Sequence, residues 1–314
     1  MIILGIKVKI ILLLIEFLLI CPMKCIRTWH FLMVFILLSF LSNGQTGALM
    51  PDRYDQFFQN YYLISPANTD TAEITINMGH KSQLGVFRGV RQTYFDANFR
   101  IKSKSLNNKQ YVGLQIMNNS EGDFFSKNRA YGRYSFDIRL SKSFFLSAGL
   151  SLGMVSYAFK ATQSSAGGSD LAYDGNLGLW LVGTHLKIGT SMQQVFQRTL
   201  SPIGQTFELA RQYNFNASYM FFINPNIQFT THAWYKLQQS DKKDVQIATL
   251  ITMQRLVEFG GCYRYQKGIV LIGGLKDIYI GTSKIAIAMS YSTGILNALA
   301  KGDNAVELFI KFSK

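Results

Sequence analysis

The strongest constraint on the fold of this chain is a two-residue alternation of apolar and polar side chains along Tyr213–Gln238. Successive side chains of a β-strand point to opposite faces, so this period predicts strands and excludes an amphipathic helix, whose period is 3.6 residues. The alternation is interrupted at Asn224-Pro225-Asn226, and asparagine and proline favour turns. We therefore predict a β-hairpin with arms of about ten residues, the length of a tilted membrane-spanning strand.

The same alternation recurs along residues 73–314. The predicted strands are 73–80, 93–101, 111–117, 129–140, 144–159, 171–180, 184–190, the two hairpin arms, 245–254, 257–265, 269–275, 284–293 and 304–312. Tight connectors such as Ser141-Lys142 alternate with longer ones such as 118–128 and 191–210, a rhythm typical of outer-membrane barrels. Charged residues are only 16% of the chain, which favours an outer surface in contact with lipid. The predicted fold is all-β: a closed antiparallel transmembrane β-barrel of about 14 strands, because every strand edge in a bilayer must be paired.

Two apolar runs precede this region. The second, at 31–41, follows Lys24 and Arg27 and precedes small polar residues, which is the pattern of a secretory signal peptide. We predict that residues 1–45 are a leader, that translation starts at Met23, and that residues 1–22 are an over-extended start. The alternative is a pair of transmembrane helices, although both runs are shorter than the roughly 20 residues that a span needs.

Residues 46–72 do not alternate cleanly and are rich in aromatic side chains. The aromatic residues Tyr54, Phe57, Phe58, Tyr61 and Tyr62 lie close together in this segment. A free segment normally avoids such a density, because exposed apolar patches promote association. We predict an irregular periplasmic N-terminal arm that is ordered against the barrel mouth, with a leader remnant of no role as the alternative.

No motif for bond chemistry has the context that it requires. Gly149–Gly153 matches the G-x-S-x-G pattern of a hydrolase, with Ser151 as nucleophile, but it lies inside an alternating run instead of a strand–turn–helix. His80, His185 and His232 lack metal-ligand spacing and are predicted to face a polar lumen. No phosphate loop, zinc motif or dinucleotide fingerprint occurs, so we expect no catalytic residue, no cofactor and no metal site.

The chain has a net charge of +14, of which about +11 remains after the leader, and the basic residues there sit singly on the polar strand faces. Nucleic-acid sites are usually clustered basic patches, so no nucleic-acid partner is expected. Lumen lining, lipopolysaccharide phosphate and an acidic protein partner are more plausible uses of this charge. Cys262 is the sole cysteine after the leader, so no internal disulfide is expected.

Four groups of short blocks are spread over most of the chain after the leader. They are Asp55-Gln56-Phe57 with Asn60-Tyr61-Tyr62 and Ser65-Pro66-Ala67; Lys81-Ser82-Gln83 with Gly85 and Thr93-Tyr94; Leu177–Trp180 with Leu186–Gly189; and Gly260-Gly261 with Tyr263-Arg264, Ile272-Gly273 and Met289–Ser292. In order and spacing they resemble the PorP/SprF family of outer-membrane proteins, found with the type IX secretion and gliding motility machinery of Bacteroidetes. Ser65 and Leu84 stand where the family usually has asparagine and tryptophan.

The resemblance implies a non-enzymatic outer-membrane barrel that docks periplasmic secretion components and helps to export or anchor cell-surface proteins. An even strand count places both termini in the periplasm. The expected partners are secretion-machinery proteins, a secreted adhesin-type client, and the lipid bilayer with its lipopolysaccharide. The residues selected for partner binding are Tyr54, Phe57, Phe58, Tyr61, Tyr62 and Pro66. The alternatives are an outer-membrane channel or hydrophobic-solute transporter, and an esterase that uses Ser151.

Overall fold

A computed structural model describes residues 54–67, 69–85, 88–101, 108–162, 166–239, 243–265, 267–294 and 304–314. The predicted leader and its start at Met23 lie outside these residues. Within the described ranges, no helix is long and apolar enough to span a membrane. The regular structure there is almost entirely β-strand, with a 3₁₀ turn at Tyr61–Leu63.

Sixteen strands follow one another along the described chain. The first seven are β1 (Ile74–Gln83), β2 (Arg91–Ile101), β3 (Asn108–Glu121), β4 (Phe125–Arg139), β5 (Phe144–Phe159), β6 (Gly168–Gly183) and β7 (Leu186–Gln193). Two short strands come next, β8 (Thr199–Leu200) and β9 (Phe207–Glu208). The last seven are β10 (Gln212–Asn224), β11 (Ile227–Gln238), β12 (Lys243–Met253), β13 (Val257–Arg264), β14 (Gly268–Ile280), β15 (Ser283–Gly294) and β16 (Ala305–Ser313).

All strands except β8 and β9 form one closed antiparallel barrel. Neighbours in the barrel follow chain order, and β1 pairs with β16 to complete the ring, with Met78 opposite Ile310. β7 pairs directly with β10, while β8 and β9 make a separate two-stranded ribbon. The predicted closed barrel of about 14 strands is therefore confirmed.

The pleat of the strands separates two chemically different faces of the wall. On β4, Tyr134 and Ile138 point outward and are exposed, whereas Arg133 and Asp137 point into the lumen and are buried. Because side chains alternate along a strand, the whole barrel has an apolar outer belt and a largely polar interior. This is the arrangement of a barrel that lies in a bilayer.

The two ends of the barrel differ in their connectors. We call the end where β1 begins and β16 ends the turn end; its connectors are short, for example residues 184–185 and 225–226. We call the opposite end the loop end; it carries longer connectors, including residues 160–167 and 194–211. The predicted rhythm of short and long connectors is present in part, because the loop-end connectors 122–124, 239–242 and 265–267 are also short.

The predicted long connector at 118–128 is wrong. β3 continues to Glu121 and β4 begins at Phe125, so the connector is only residues 122–124. The polar residues of this stretch indicated a loop, but the side chain of Asn118 donates a hydrogen bond to that of Asn128 across the two strands at 2.5 Å. These side chains lie beyond the apolar belt, where an outward-facing position no longer has to be apolar.

The connector 194–211 folds against the inner face of β4–β6 at the loop end. Leu200 and Leu209 are buried there in an apolar cluster with aromatic residues of the wall. The ring of Phe207 stacks on that of Phe159, with centroids 5.7 Å apart. This connector is therefore packed into the barrel instead of projecting from it.

Candidate functional site

The structure places residues 54–67 of the N-terminal arm inside the barrel lumen. All the residues selected for partner binding are buried there: Tyr54, Phe57, Phe58, Tyr61, Tyr62 and Pro66. The sequence predicted an arm at the barrel mouth, whereas the described arm residues lie within the lumen against its inner wall. Their role in partner binding stays a prediction.

A short turn shapes the middle of the arm. Asn60 precedes the 3₁₀ turn Tyr61–Leu63, and its side-chain oxygen accepts a hydrogen bond from the backbone N–H of Tyr62 at 3.1 Å. Asparagine is a preferred residue at this capping position. The turn directs Tyr61 and Tyr62 towards different parts of the wall.

Aromatic rings of the arm pack against rings that point inward from the wall. The ring centroids of Phe57 and Trp234 are 5.2 Å apart, and those of Tyr61 and Trp180 are 4.7 Å apart. The hydroxyl group of Tyr61 forms a hydrogen bond with Nδ1 of His232 at 2.7 Å. Aromatic pairs in such geometries contribute about 0.5–1.5 kcal/mol each beyond the area that they bury. The rings of the arm and the apolar side chains of the inner wall therefore form one buried cluster.

A buried charge cluster fixes the beginning of the described arm. Asp55 Oδ1 lies 2.9 Å from both Lys81 Nζ and Arg264 Nη1. The backbone N–H of Asp55 donates to the carboxylate of Glu307 at 3.0 Å, and the side chain of Gln56 donates to the backbone carbonyl of Glu307 at 3.1 Å. The cluster holds two carboxylates and two cations, so its charges balance only while the arm is in place. Since Arg264 is the last residue of β13, this anchor lies towards the loop end.

A second anchor surrounds Tyr62. The guanidinium carbon of Arg133 lies 3.9 Å from the ring centroid of Tyr62, and Arg133 also forms a bidentate salt bridge with Asp96 at 2.9 and 3.1 Å. Asn98 donates to the hydroxyl oxygen of Tyr62 at 2.8 Å, and Gln115 donates to its backbone carbonyl at 2.9 Å. A cation–π contact and two hydrogen bonds from three different strands therefore hold this residue.

Two glycines of the wall make room for the end of the arm. A β-carbon at Gly149 would lie 2.4 Å from the carbonyl oxygen of Pro66, and one at Gly178 would lie 2.3 Å from the hydroxyl oxygen of Ser65. Both distances are far shorter than a van der Waals contact. Glycine in a strand often marks such a close approach of another backbone.

The chain leaves the lumen at the turn end, beside two lysines. Lys187 donates to the backbone carbonyl of Thr69 at 3.1 Å, and Lys311 donates to the carboxylate of Asp70 at 2.7 Å. The ammonium group of Lys311 holds the pKa of the Asp70 carboxyl well below its usual range. A cavity of about 730 Å³ opens here. Because Asp55 is anchored towards the loop end, the arm runs lengthwise through the lumen.

The G-x-S-x-G pattern has a packing explanation in this structure. Ser151 lies within β5, and its hydroxyl oxygen accepts a hydrogen bond from the side chain of Asn176 at 2.8 Å. Gly149 of the same pattern contacts the arm. Among the described residues that line the small cavity beside Ser151, none is a histidine that would serve as a base.

The prediction that three histidines face the lumen is correct for His232 alone. His80 lies on the outer face of β1, on the same side as the exposed Met78, and its Nδ1 forms a hydrogen bond with the hydroxyl of Thr93 at 2.8 Å. His185 is exposed in the connector between β6 and β7. Across the described ranges, no group of three histidine, cysteine or acidic residues is arranged to hold a metal ion.

Sequence reasoning found the arm but missed the wall residues that hold it. These residues are Lys81, Arg133, Gly149, Gly178, Trp180, Trp234 and Arg264. Each occupies an inward-facing strand position, and each is either charged, aromatic or glycine. Inward-facing tryptophan in particular could have indicated these residues, because a lumen filled with water would be lined by polar side chains.

Comparison with known protein families gives independent evidence on the arm and the barrel together. The profile of the family described as type IX secretion system membrane protein PorP/SprF matches residues 46–312. The chain belongs to the PorP/SprF family. The match confirms the resemblance of the sequence blocks, and an outer-membrane location fits this PorP/SprF barrel. No curated protein matches the chain.

Solved structures of outer-membrane channels have a similar barrel. The CymD monoaromatic hydrocarbon channel is 9% identical, with a TM-score of 0.51 over 82% of this chain and 96% of that one. A deltaS2 mutant of the TodX monoaromatic hydrocarbon channel is 9% identical, with a TM-score of 0.50 over 81% and 94%. The Pseudomonas putida toluene transporter TodX is 10% identical, with a TM-score of 0.49 over 87% and 95%. At such identities the similarity shows the fold alone.

Proposed function

We propose that this PorP/SprF protein is a non-enzymatic component of type IX secretion that docks secretion proteins at the outer membrane and helps to export or anchor cell-surface proteins. Its family supports a role in secretion. The observation that carries the docking role is the ordered arm in the lumen, because a barrel filled by its own chain is poorly suited to conduct solutes.

The contacts of the arm reach strands on different sides of the lumen. Gln59 donates to the carboxylate of Glu258 on β13 at 2.7 Å, while Gln115 of β3 donates to the backbone of Tyr62. These strands are far apart around the ring, so the arm bridges the lumen cross-section. Passage of a solute then requires the arm to leave, which favours docking over the alternative of a channel or hydrophobic-solute transporter.

We infer that the turn end faces the periplasm, because short turns are periplasmic in outer-membrane barrels. The C-terminal Lys314 and the exit of the arm beside Asp70 lie at this end. In this orientation the periplasmic secretion proteins contact the turn end, and the loop end faces an adhesin-type client. The apolar belt contacts lipid, and exposed basic residues contact lipopolysaccharide phosphate.

Pull-down of the tagged protein from native membranes, followed by mass spectrometry, tests the docking role. We expect type IX secretion proteins to be enriched relative to an unrelated outer-membrane barrel with the same tag. Conductance in planar bilayers tests the channel alternative, and we expect the intact protein to show no steady open state. No enrichment over the control barrel, combined with steady conductance, would contradict docking and favour a channel.

A wedge in the lumen tests what the arm contributes. Gly149→Val places a side chain where the backbone of Pro66 lies, so the arm is expected to leave while the barrel wall persists. Gly132→Val is the matched control, because Gly132 faces outward on β4 and a β-carbon there would lie 3.9 Å from the carbonyl oxygen of Leu152, an ordinary contact. Heat-modifiable gel mobility reports barrel assembly, and cell-surface display of the client reports export.

We expect assembly in both variants and loss of export only in Gly149→Val. Deletion of residues 52–62 provides a second way to remove the arm and should give the same result. Normal export by an assembled barrel that lacks the arm would show that the partner role assigned to the arm is wrong.

A further inference from the structure

Strand β6 has a partner strand on only one side along its loop-end half. β5 pairs with β6 along its full length, from Gly168 to Gly183. β7 pairs with β6 only from Leu177 to Val182. Residues 168–176 of β6 therefore form a strand edge, because β5 and β6 extend further towards the loop end than β7 does.

The backbone groups that point away from β5 on this edge can be identified. The carbonyl oxygen of Gly175 accepts a hydrogen bond from the N–H of Val195 at 3.0 Å, on the side where β7 pairs. In an antiparallel ladder both backbone groups of every second residue point to the same side, so those of Tyr173, Leu171 and Ser169 share this edge.

Within the described part of the chain, the groups on this edge lack a partner strand. The N–H of Leu171 donates instead to the side chain of the preceding Asp170 at 2.8 Å. The backbone groups of Ser169 and Tyr173 on this side have no backbone partner among the described residues. A row of free N–H and C=O groups on a strand edge is a template for another strand.

The edge lies at and above the upper border of the apolar belt. The cross-strand row that contains Tyr173 also contains Ile116 and Met154, both exposed and apolar. The next row towards the loop end contains Asn118, Asn128, Ser156 and Leu171, of which three are polar. Open backbone groups are not tolerated in lipid, so this edge meets water.

The chain past β7 touches the two ends of this edge and leaves the outer side of Ser169–Tyr173 open. The ring of Phe196 lies 3.1 Å from where a β-carbon of Gly175 would be, and the backbone N–H of Ser201 donates to the carboxylate of Asp170 at 2.6 Å. Gln194, with a φ of 58°, turns the chain from the end of β7 into the connector that packs on the inner face. On the outer side, Leu171 is 56% exposed, Tyr173 is 65% exposed and Phe196 is 48% exposed. The edge thus combines free backbone groups with an apolar surface beside them.

We propose that the edge of β6 at Ser169–Tyr173 is a binding site for an extended segment of another protein, which adds to the barrel sheet as a strand. The added strand continues the β6–β7 ladder beyond the end of β7, so the site is continuous with a pairing that already exists. Backbone hydrogen bonds supply affinity, and apolar side chains at alternate positions of the segment pack on Leu171, Tyr173 and Phe196. This site lies outside the lumen and does not depend on the arm.

The probe for this site is a labelled peptide with the sequence of residues 150–159, flanked by lysines for solubility. This sequence already pairs with the same stretch of β6 along its opposite edge, so its alternation fits. Tyr173 points its side chain outward and its backbone groups towards the edge, and a residue opposite it in an antiparallel pair does the same. In the bound peptide, the residues with outward apolar side chains are therefore the ones whose amide groups bond to β6. N-methylation at the positions of Leu152 and Met154 therefore blocks pairing, while N-methylation at Ser151 and Gly153 does not.

Binding is measured by fluorescence anisotropy on the purified, full-length mature protein in detergent. We expect saturable binding of the unmodified peptide. N-methylation at the positions of Leu152 and Met154 should weaken the binding at least about tenfold, because two backbone hydrogen bonds are lost. Tyr173→Pro, which removes one N–H from the edge, should weaken binding similarly. Tyr173→Val keeps that N–H and should weaken binding less.

The outcomes separate strand addition from other uses of this surface. Absence of saturable binding, or equal binding of the two N-methylated peptides to unmodified protein, would overturn the proposal, because the contact would then be apolar or absent. Dimers of the purified protein that Tyr173→Pro abolishes would also overturn it, since the edge would then belong to a second copy. Peptide binding is independent of secretion, so these results are distinguishable from failure of the docking role.

Discussion

Removing the negative charge of Asp55 should release the arm from the lumen. The carboxylate lies 2.9 Å from both Lys81 and Arg264, and the side chains of all three are at most 7% exposed. In Asp55→Asn, two buried cations face only the carboxylate of Glu307. Removing one partner of a buried ion pair costs about 3–5 kcal/mol, because a charge is left uncompensated. Asparagine keeps one oxygen acceptor, so we use about 3 kcal/mol, the lower end of that range.

A cost of about 3 kcal/mol raises the released population of the arm by roughly 10²-fold. Chymotrypsin measures this population, because it cleaves after the aromatic residues of the arm only when the arm is accessible. When the arm returns faster than it is cleaved, the cleavage rate follows the released fraction. We therefore expect chymotrypsin to cleave within residues 54–62 roughly 10²-fold faster in Asp55→Asn than in the parent, while heat-modifiable mobility stays that of an assembled barrel.

Two variants test whether charge is the cause. Asp123→Asn removes the same charge from an exposed connector between β3 and β4 and should leave the cleavage rate unchanged. Adding Lys81→Gln to Asp55→Asn restores a balance between Arg264 and Glu307 and should slow the cleavage again. A rate for Asp55→Asn within twofold of the parent would refute the electrostatic anchor.

Two further predictions concern the lipid face and the exit of the arm. Leu150→Arg should impair barrel assembly, judged by heat-modifiable mobility, because arginine near the bilayer midplane costs about 2–4 kcal/mol. Asp137→Ala on the lumen face should impair assembly far less. Equal effects of the two variants would mean that the lipid and lumen faces are assigned the wrong way round. Asp70→Asn should lower the unfolding temperature at pH 6, because it removes the ion pair with Lys311. The pKa of Asp70 is depressed in the folded state, so its stabilising effect is present above about pH 4 and is lost as the pH falls below that value. The difference from the parent should therefore narrow between pH 6 and pH 3, and a constant difference would contradict the ion pair.

Much of the wall could be predicted from the sequence because strand geometry is local. Consecutive side chains point to opposite faces whatever the rest of the chain does, so alternation alone separates lumen from lipid. The hairpin predicted at Tyr213–Gln238 is present as β10–β11, with its turn at residues 225–226. Closure was predictable as well, because a bilayer leaves no solvent for an open edge.

The lengths of β3 and β4 could not be predicted in the same way. Their polar outward residues indicated a loop at 118–128, because nothing in a local pattern shows where the lipid ends. A strand that rises above the apolar belt meets water on its outer face, so its polarity resembles that of a loop. The free edge of β6 has a similar origin, because β6 also extends beyond the apolar belt while β7 beside it ends earlier.

Local composition and period were enough to predict an outer-membrane-type barrel preceded by an aromatic arm. The position of that arm inside the lumen follows from contacts between residues that are far apart in the chain. Asp55 meets Arg264 and Glu307, which are 209 and 252 residues further along the chain. Those groups come together only when the ring closes and its register is set, so a pattern of neighbouring residues contains no information about their meeting. The same closure places Gly149 and Gly178 where the arm needs space, and it converts scattered inward residues into a single binding surface for the arm.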